Sequence, residues 1–145
     1  LEDLYSRIRN KLSVFGNIVG FEHGAYSENR GGCGIYHAHL HIVPLPHAIN
    51  LFDFFKSEYS KYHNLSRALI NAKDLQEYLL IINEDLSTGL ADISCHMDKY
   101  ESQFFRRELH RHFNLSGSWN WKDYITPESM LIKTVNNLDL KKATI

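Results

Sequence analysis

The strict alternation in residues 35–43 is the feature that most constrains how this chain folds. The segment reads IYHAHLHIV, with His37, His39 and His41 at every second position and small or aliphatic residues between them. Side chains at every second position of a β-strand point to the same face of its sheet. The pattern therefore predicts a strand with an imidazole face, and we expect the prolines from Pro44 onward to terminate it.

The other face of this strand and the residues before it complete a local unit. Ala38, Leu40 and Ile42 form the apolar face, which we expect to pack on the core. The segment NIVGFEHG, residues 17–24, predicts a short strand. The segment AYSENRGGCG, residues 25–34, is rich in Gly, Ser and Asn without periodicity and predicts a loop. Together these segments predict two strands joined by a glycine-rich connection.

Hydrophobic spacing predicts further elements in the middle of the chain. Apolar side chains at helical spacing in the first dozen residues predict a helix that ends before Gly16. Aromatic and aliphatic residues predict a helix over residues 49–62 and a shorter helix over residues 65–70. The buried segment EYLLIIN, the turn EDLSTG and the segment LADISCHM predict a β-hairpin.

Two more helices are predicted toward the end of the chain. Apolar side chains spaced four apart predict a helix over residues 101–113, with Ser102 as its N-cap. Thr126 followed by Pro127 predicts the start of a last helix. Strands joined by hairpins, with helices before, between and after them, predict an α+β fold with an antiparallel sheet and packed helices.

Composition limits the classes of partner. The chain has 145 residues, 43% of them apolar, and we treat residues 1–145 as one domain with a helical extension from about residue 101. Lys and Arg number 16 against 17 Asp and Glu. This balance argues against a general nucleic-acid or membrane-surface binder. No apolar run approaches the roughly 20 residues that cross a bilayer. Cys33 and Cys95 form no paired-cysteine motif, so we expect a reducing, cytoplasmic setting.

Three interpretations of the histidines remain open on the residues alone. The first is a polar strand face without chemistry. The second is a zinc site, since two histidines at i and i+2 can reach one ion, and His23 or His96 could supply a further ligand. The third histidine lies about 13 Å from the first along a straight strand, so all three would bind one ion only if the strand bends.

The third interpretation, a histidine nucleophile, accounts for more of the surrounding sequence. An imidazole can attack phosphorus when one ring nitrogen is free and a hydrogen bond at the other fixes the tautomer. Histidines two residues away can donate hydrogen bonds to the same phosphoryl group. The preceding glycines, Gly31, Gly32 and Gly34, let backbone amides approach an anion closely.

Residues 31–43 resemble the signature of the histidine triad superfamily. The shared features are the glycine pair, Tyr36 before the first histidine, the three alternating histidines and the proline that follows. The segment FEHG resembles the strand that carries the polar, substrate-contacting side chain of that family. The segments ESQFFRREL and WNWKDY resemble the C-terminal part of its bacterial hydrolases. The resemblance implies a histidine-triad antiparallel sheet with packed helices, and it leads us to expect a pocket-forming segment before Leu1.

The resemblance also implies roles for the triad. His39 would attack the α-phosphate of a nucleotide and form a nucleotidyl-histidine that water cleaves. His41 would contact the leaving-group oxygens, and His37 would orient His39. Because the third histidine is retained, hydrolysis is favoured over transfer between sugars. The implied substrates are dinucleoside polyphosphates or nucleoside phosphoramidates, with no obligatory cofactor at the triad, a divalent ion accompanying a polyphosphate substrate, and a homodimeric assembly.

The implied substrate-binding residues include departures from the family pattern. Gly32, Cys33 and Gly34 would line the phosphate, but Cys33 and Gly34 replace a polar pair of the better-known branches. The loss of that pair motivates an alternative, a nucleotide-binding interaction module with little catalysis. A His-ligated zinc hydrolase is a further alternative. Glu22 stands near the place of an amide, where its charge disfavours a phosphate unless it is protonated, paired or turned away.

Other noticeable residues have a simpler interpretation as packing or surface groups. We interpret Cys33 as a small packing residue in preference to a reactive thiol. Arg106 and Arg107 fit a solvated helix face better than a phosphate contact. Trp119 and Trp121 are expected to anchor packing.

Overall fold

The computed structural model describes residues 2–25, 39–95, 100–120 and 123. These residues form an α+β fold whose centre is a five-stranded antiparallel sheet, as the sequence predicts. The elements follow the chain as helix α1 (Glu2–Leu12), strands β1 (Asn17–Ala25), β2 (His41–Leu45) and β3 (Ser60–Tyr62), helix α2 (Leu65–Ala72), strands β4 (Glu77–Ile82) and β5 (Thr88–Asp92), and helix α3 (Phe104–His112). The strands lie in the order β2, β1, β4, β5, β3.

Helices cover both faces of the sheet. One apolar cluster joins Val19 and Phe21 of β1 to Phe105 and Leu109 of α3. The other cluster lies on the opposite face of the sheet, where Tyr5 of α1 and residues of α2 pack on β4 and β5. The interior strand β1 is consequently buried at seven consecutive positions, Ile18 through Gly24. Polar side chains on β1 therefore lie inside the fold, which matters for the site described below.

Helices α1 and α2 are stabilised by side chains at their ends. Helix α1 has acidic residues in its first turn and basic residues in its last turn, which complement its dipole. The Asn64 side chain accepts the amide of Arg67 at 2.9 Å and caps α2. Glu2 of α1 accepts the amide of Ser66 at 2.9 Å, so one helix helps to cap the other. Both helices, and the β4–β5 hairpin, confirm the sequence predictions.

The helix predicted over residues 49–62 is wrong. The segment forms a short 3₁₀ helix, Leu51–Phe54, followed by irregular chain and β3. The rings of Phe55 and Tyr59 stack with centroids 4.6 Å apart, and the ring of Phe52 covers Gly89, where any side chain would collide with it. Tertiary packing of these rings on the sheet overrides their local helical spacing.

Two boundary predictions also need correction. Pro44 does not end the histidine strand, because it lies inside β2 opposite Ile18. β2 lies at the edge of the sheet that the described residues form, and a proline is tolerated at an edge because its missing amide is not required by a second neighbour. Ser102 does not cap α3; Gln103 occupies the cap position in the left-handed region, with φ 60°, and makes no side-chain cap bond.

Some predicted features lie outside the described residues. These are the glycine-rich loop, the strand residues 35–38, His96, Trp121 and the helix that begins at Thr126. Within the described helices, none has the length and apolar content that crossing a membrane requires.

Gly16, at the entry to β1, gives a stability prediction. Its φ is +144°, and a Cβ there would lie 2.2 Å from the carbonyl oxygen of Leu45. We expect Gly16→Ala to lower the free energy of unfolding by about 3 kcal/mol in urea titrations. Gly117→Ala is the matched control, because φ is also positive there but a Cβ would meet nothing within 4 Å. Equal losses in the two variants would contradict the steric explanation.

Candidate active site

The hydrogen-bonded ladder between β1 and β2 stops within the histidine segment. Its last pair is Phe21 with His41, so a regular continuation would place His39 opposite His23. Instead, the backbone amide of His39 donates to Oε1 of Glu22 at 2.8 Å. At His39 a side-chain carboxylate therefore accepts the amide, where a regular ladder would use a main-chain carbonyl.

Glu22 is a buried carboxylate that faces the protein backbone. Only 2% of the residue is exposed, and one oxygen accepts the amide of His39. This hydrogen bond offsets part of the cost of burying a polar side chain. In the structure this oxygen contacts the backbone of His39; the substrate contact that the sequence predicts for Glu22 stays a prediction.

The rings of His39 and His41 lie beside each other. Their centroids are 5.1 Å apart with an interplanar angle of 80°. The His41 ring also stacks on Phe21, at 5.0 Å and 24°, and Phe21 in turn packs on Phe105 of α3 at 4.8 Å. An aromatic stack therefore connects the histidine pair to α3 and fixes the orientation of the His41 ring.

The alternation predicted for the histidine strand is confirmed where the structure describes it. His41 and Val43 lie on the α3 face of the sheet, whereas Leu40 and Ile42 pack against the cluster formed with α1 and α2. The histidine face is itself partly covered, because α3 packs on the same side. His39 and His41 are both half-buried rather than fully exposed.

The surroundings of His41 favour its neutral form. Burial is the main cause that lowers its pKa from 6.5 to about 4, and the neighbouring His39 and the Arg106 guanidinium lower it further. At neutral pH the free protein therefore holds His41 as a neutral imidazole. Such a ring can donate one hydrogen bond and accept another.

The low pKa of His41 predicts a pH dependence of stability. Because the folded pKa lies below the unfolded value, the unfolded chain binds more protons between pH 6.5 and 4, and stability is lost as pH falls through this window. We expect about 1–2 kcal/mol of such loss between pH 7.5 and 5, allowing for partial solvent screening. Urea unfolding of wild type and His41→Phe at both values measures it. The same pH dependence in both proteins would contradict the assignment.

His23 lies on the same face of β1 as Phe21, but its side chain contacts Glu77 and not the histidine pair. Its Nε2 lies 2.9 Å from Oε1 of Glu77, and both side chains are at most 1% exposed. The zinc interpretation used His23 as a possible further ligand, and this nitrogen is directed toward β4 instead. Among the described residues, no group of three or more His, Cys, Asp or Glu side chains is arranged to hold a metal ion.

The arginines of α3 differ in their surroundings. Arg107 pairs with Glu101, and its Nε lies 3.7 Å from Oε1 of Glu108. Arg111 also pairs with Glu108. Arg106 is exposed, as a solvated helix face predicts, yet its charge acts on His41. Sequence spacing alone does not distinguish these three arginines.

The described residues include part of the predicted site. His39, His41 and Glu22 are adjacent, whereas His37, Gly32, Cys33 and Gly34 lie outside the described residues. Phe21 stacks on His41 and packs on Phe105, and the sequence did not predict either contact. The alternation of β1 places Phe21 and His23 on one face, but pairing Phe21 with His41 requires the strand register, which spacing within one strand does not give.

Comparison with family models, with curated proteins and with solved structures finds no match to this chain.

Proposed function

We propose that this protein is a nucleotide phosphohydrolase of the histidine triad type, with His39 as nucleophile. The observation that carries the proposal is the pairing of two imidazoles 5.1 Å apart, one held through its backbone by Glu22 and the other by an aromatic stack. A polar strand face without chemistry needs neither support. The resemblance of residues 31–43 to the triad signature adds the substrate class, a nucleotide.

The first step transfers the nucleotidyl group to the protein. A lone pair on a ring nitrogen of His39 attacks the α-phosphorus, and a nitrogen–phosphorus bond forms. The bond from phosphorus to the leaving group breaks, and its electron pair departs with that group. The ring of His41 donates a hydrogen bond to the leaving-group oxygen. From the sequence alone, we propose that His37 orients His39 and that the glycine-rich loop contacts the phosphate.

The second step restores the protein. Water attacks the phosphorus of the nucleotidyl-histidine, the nitrogen–phosphorus bond breaks, and its electron pair returns to His39. The proton that water loses passes to a base, for which the neutral ring of His41 is available. The product is a nucleoside monophosphate.

We place this chemistry in the cytoplasm, and the free, exposed thiol of Cys95 is compatible with that compartment.

Stereochemistry at phosphorus tests this two-step route. Two successive displacements retain the configuration of a chiral α-thiophosphate, whereas direct attack by water inverts it. We expect retention when a substrate with a chiral α-thiophosphate is hydrolysed in ¹⁸O-labelled water and the product is analysed by phosphorus NMR. Inversion would contradict the proposal and would support the zinc hydrolase.

Calorimetry separates hydrolysis from the interaction module. Adenosine and guanosine dinucleotides and phosphoramidates are titrated into the protein and, in parallel, assayed for turnover. We expect both binding and hydrolysis for at least one compound. Binding without hydrolysis would support the nucleotide-binding module with little catalysis.

A further inference from the structure

Arg106 differs from the other arginines of α3 in its charge environment. The guanidiniums of Arg107 and Arg111 share the carboxylate of Glu108, and Arg107 also pairs with Glu101. Within the described residues, Arg106 forms no ion pair. It is exposed, so its positive charge is available to a ligand.

The packing of α3 fixes where this charge lies. Phe105, the neighbour of Arg106, is 2% exposed and packs on Phe21 at 4.8 Å. Phe21 stacks on the ring of His41 at 5.0 Å. The first turn of α3 is therefore anchored to the histidine pair through two ring contacts, and Arg106 is held in the same neighbourhood. The electrostatic effect of Arg106 on the pKa of His41 agrees with this placement.

We propose that Arg106 binds a phosphate of the leaving group, and that the substrate is therefore a nucleoside polyphosphate rather than a nucleoside phosphoramidate. This inference rests on the function proposed above. A guanidinium binds phosphate oxygens through two parallel hydrogen bonds and keeps its charge at any physiological pH. An amine leaving group offers it no anion.

The protonation state of His41 points the same way. When the α,β anhydride bond breaks, the electron pair departs on a phosphate oxygen, which leaves as an anion and needs no proton. A phosphoramidate nitrogen must gain a proton to leave as an amine, and this requires a protonated acid. His41 is neutral in the free protein at neutral pH, because its pKa is lowered to about 4. A hydrogen bond from His41 and the charge of Arg106 suit a phosphate leaving group.

Arg106→Gln and its matched control Arg111→Gln test the inference in the full chain. Each variant is assayed with diadenosine tetraphosphate and with adenosine 5′-phosphoramidate. For Arg106→Gln we expect kcat/KM to fall about 10- to 100-fold with the tetraphosphate, the usual size of a lost charge-assisted contact, and to change little with the phosphoramidate. Arg111→Gln, an exposed arginine of the same helix, should change neither value appreciably.

Two further measurements separate a failure of the inference from a failure of the proposed function. Histidine NMR titration should show a raised His41 pKa in Arg106→Gln and an unchanged one in Arg111→Gln. Calorimetry with a methylene-bridged, non-hydrolysable diadenosine tetraphosphate should show weaker binding to Arg106→Gln and equal binding of adenosine monophosphate. Weaker binding of the bridged compound to Arg106→Gln, without any turnover by wild type, would support the phosphate contact of Arg106 and contradict the hydrolase.

Other outcomes overturn the inference directly. An equal fall of kcat/KM on both substrates would mean that Arg106 acts on the histidines alone. Unchanged kinetics and unchanged binding of the bridged compound would mean that its charge faces solvent without a ligand. Preferential hydrolysis of the phosphoramidate by wild type would support the proposed function while overturning the substrate class.

Discussion

Replacing His39 with alanine is expected to lower kcat by at least about 10³-fold. If the ring nitrogen forms the bond to phosphorus, its loss removes the covalent route, and what remains is substrate binding and the neighbouring groups. Nucleotide binding should survive within about 10-fold, because His39 is one of several contacts. Steady-state kinetics on the best substrate, with calorimetric binding of the product monophosphate, measures both quantities.

A control separates this effect from general loss of structure. His63→Ala removes an exposed histidine in the segment before α2, on the opposite edge of the sheet from β2. It should keep full activity and the same thermal unfolding midpoint. Full turnover by His39→Ala, with a fold indistinguishable from wild type, would eliminate His39 as nucleophile.

Replacing Glu22 is expected to give the second large loss of activity. Two substitutions separate the loss of its hydrogen-bond acceptor from the loss of its acidic group. Glu22→Ala removes the acceptor of the His39 amide, so we expect kcat to fall about 100-fold as the nucleophile loses its position. The free energy of unfolding should fall by about 1–3 kcal/mol, because a backbone donor loses its partner. Glu22→Gln retains an oxygen acceptor of nearly the same shape, so kcat should stay within about 3-fold of wild type.

The contrast between these two variants identifies what Glu22 does. A positioning role requires that the glutamine rescue activity and that KM change little in either variant. Loss of activity in Glu22→Gln equal to that in Glu22→Ala would mean that the negative charge acts in the reaction. A large rise in KM with unchanged kcat would instead support the substrate contact that the sequence predicts. Circular dichroism of both variants checks that the fold is intact.

Much of the fold follows from local pattern. The helical spacing of the first dozen residues, the buried run of β4 and the turn before β5 each predict the observed element, because in these segments local preference and burial agree. The segment 49–62 fails for the opposite reason. Its aromatic residues serve long-range packing around Gly89, which no local periodicity records.

The candidate site divides in the same way. The alternation in residues 35–43 predicts which side chains share a face, since a strand has a fixed period of two. It does not predict that the ladder ends at His41 or that Glu22 then accepts the amide of His39. Those features depend on the register between β1 and β2 and on a contact between a side chain and the backbone of another segment, which the pattern within one strand does not give. The sequence also does not predict that Arg107 and Arg111 pair with Glu108 whereas Arg106 forms no ion pair among the described residues, because this depends on which side chains the fold brings together.

Detection of the covalent nucleotidyl-histidine tests the nucleophilic role of His39 most directly. The protein is mixed with a nucleotide substrate carrying a labelled α-phosphate, quenched within milliseconds to seconds under conditions that preserve phosphoramidate bonds, digested and sequenced by mass spectrometry. We expect one added nucleotidyl group, located on His39 and missing from His39→Ala. An adduct on a different residue, or full turnover without any adduct at any quench time, would rule out His39 as the nucleophile.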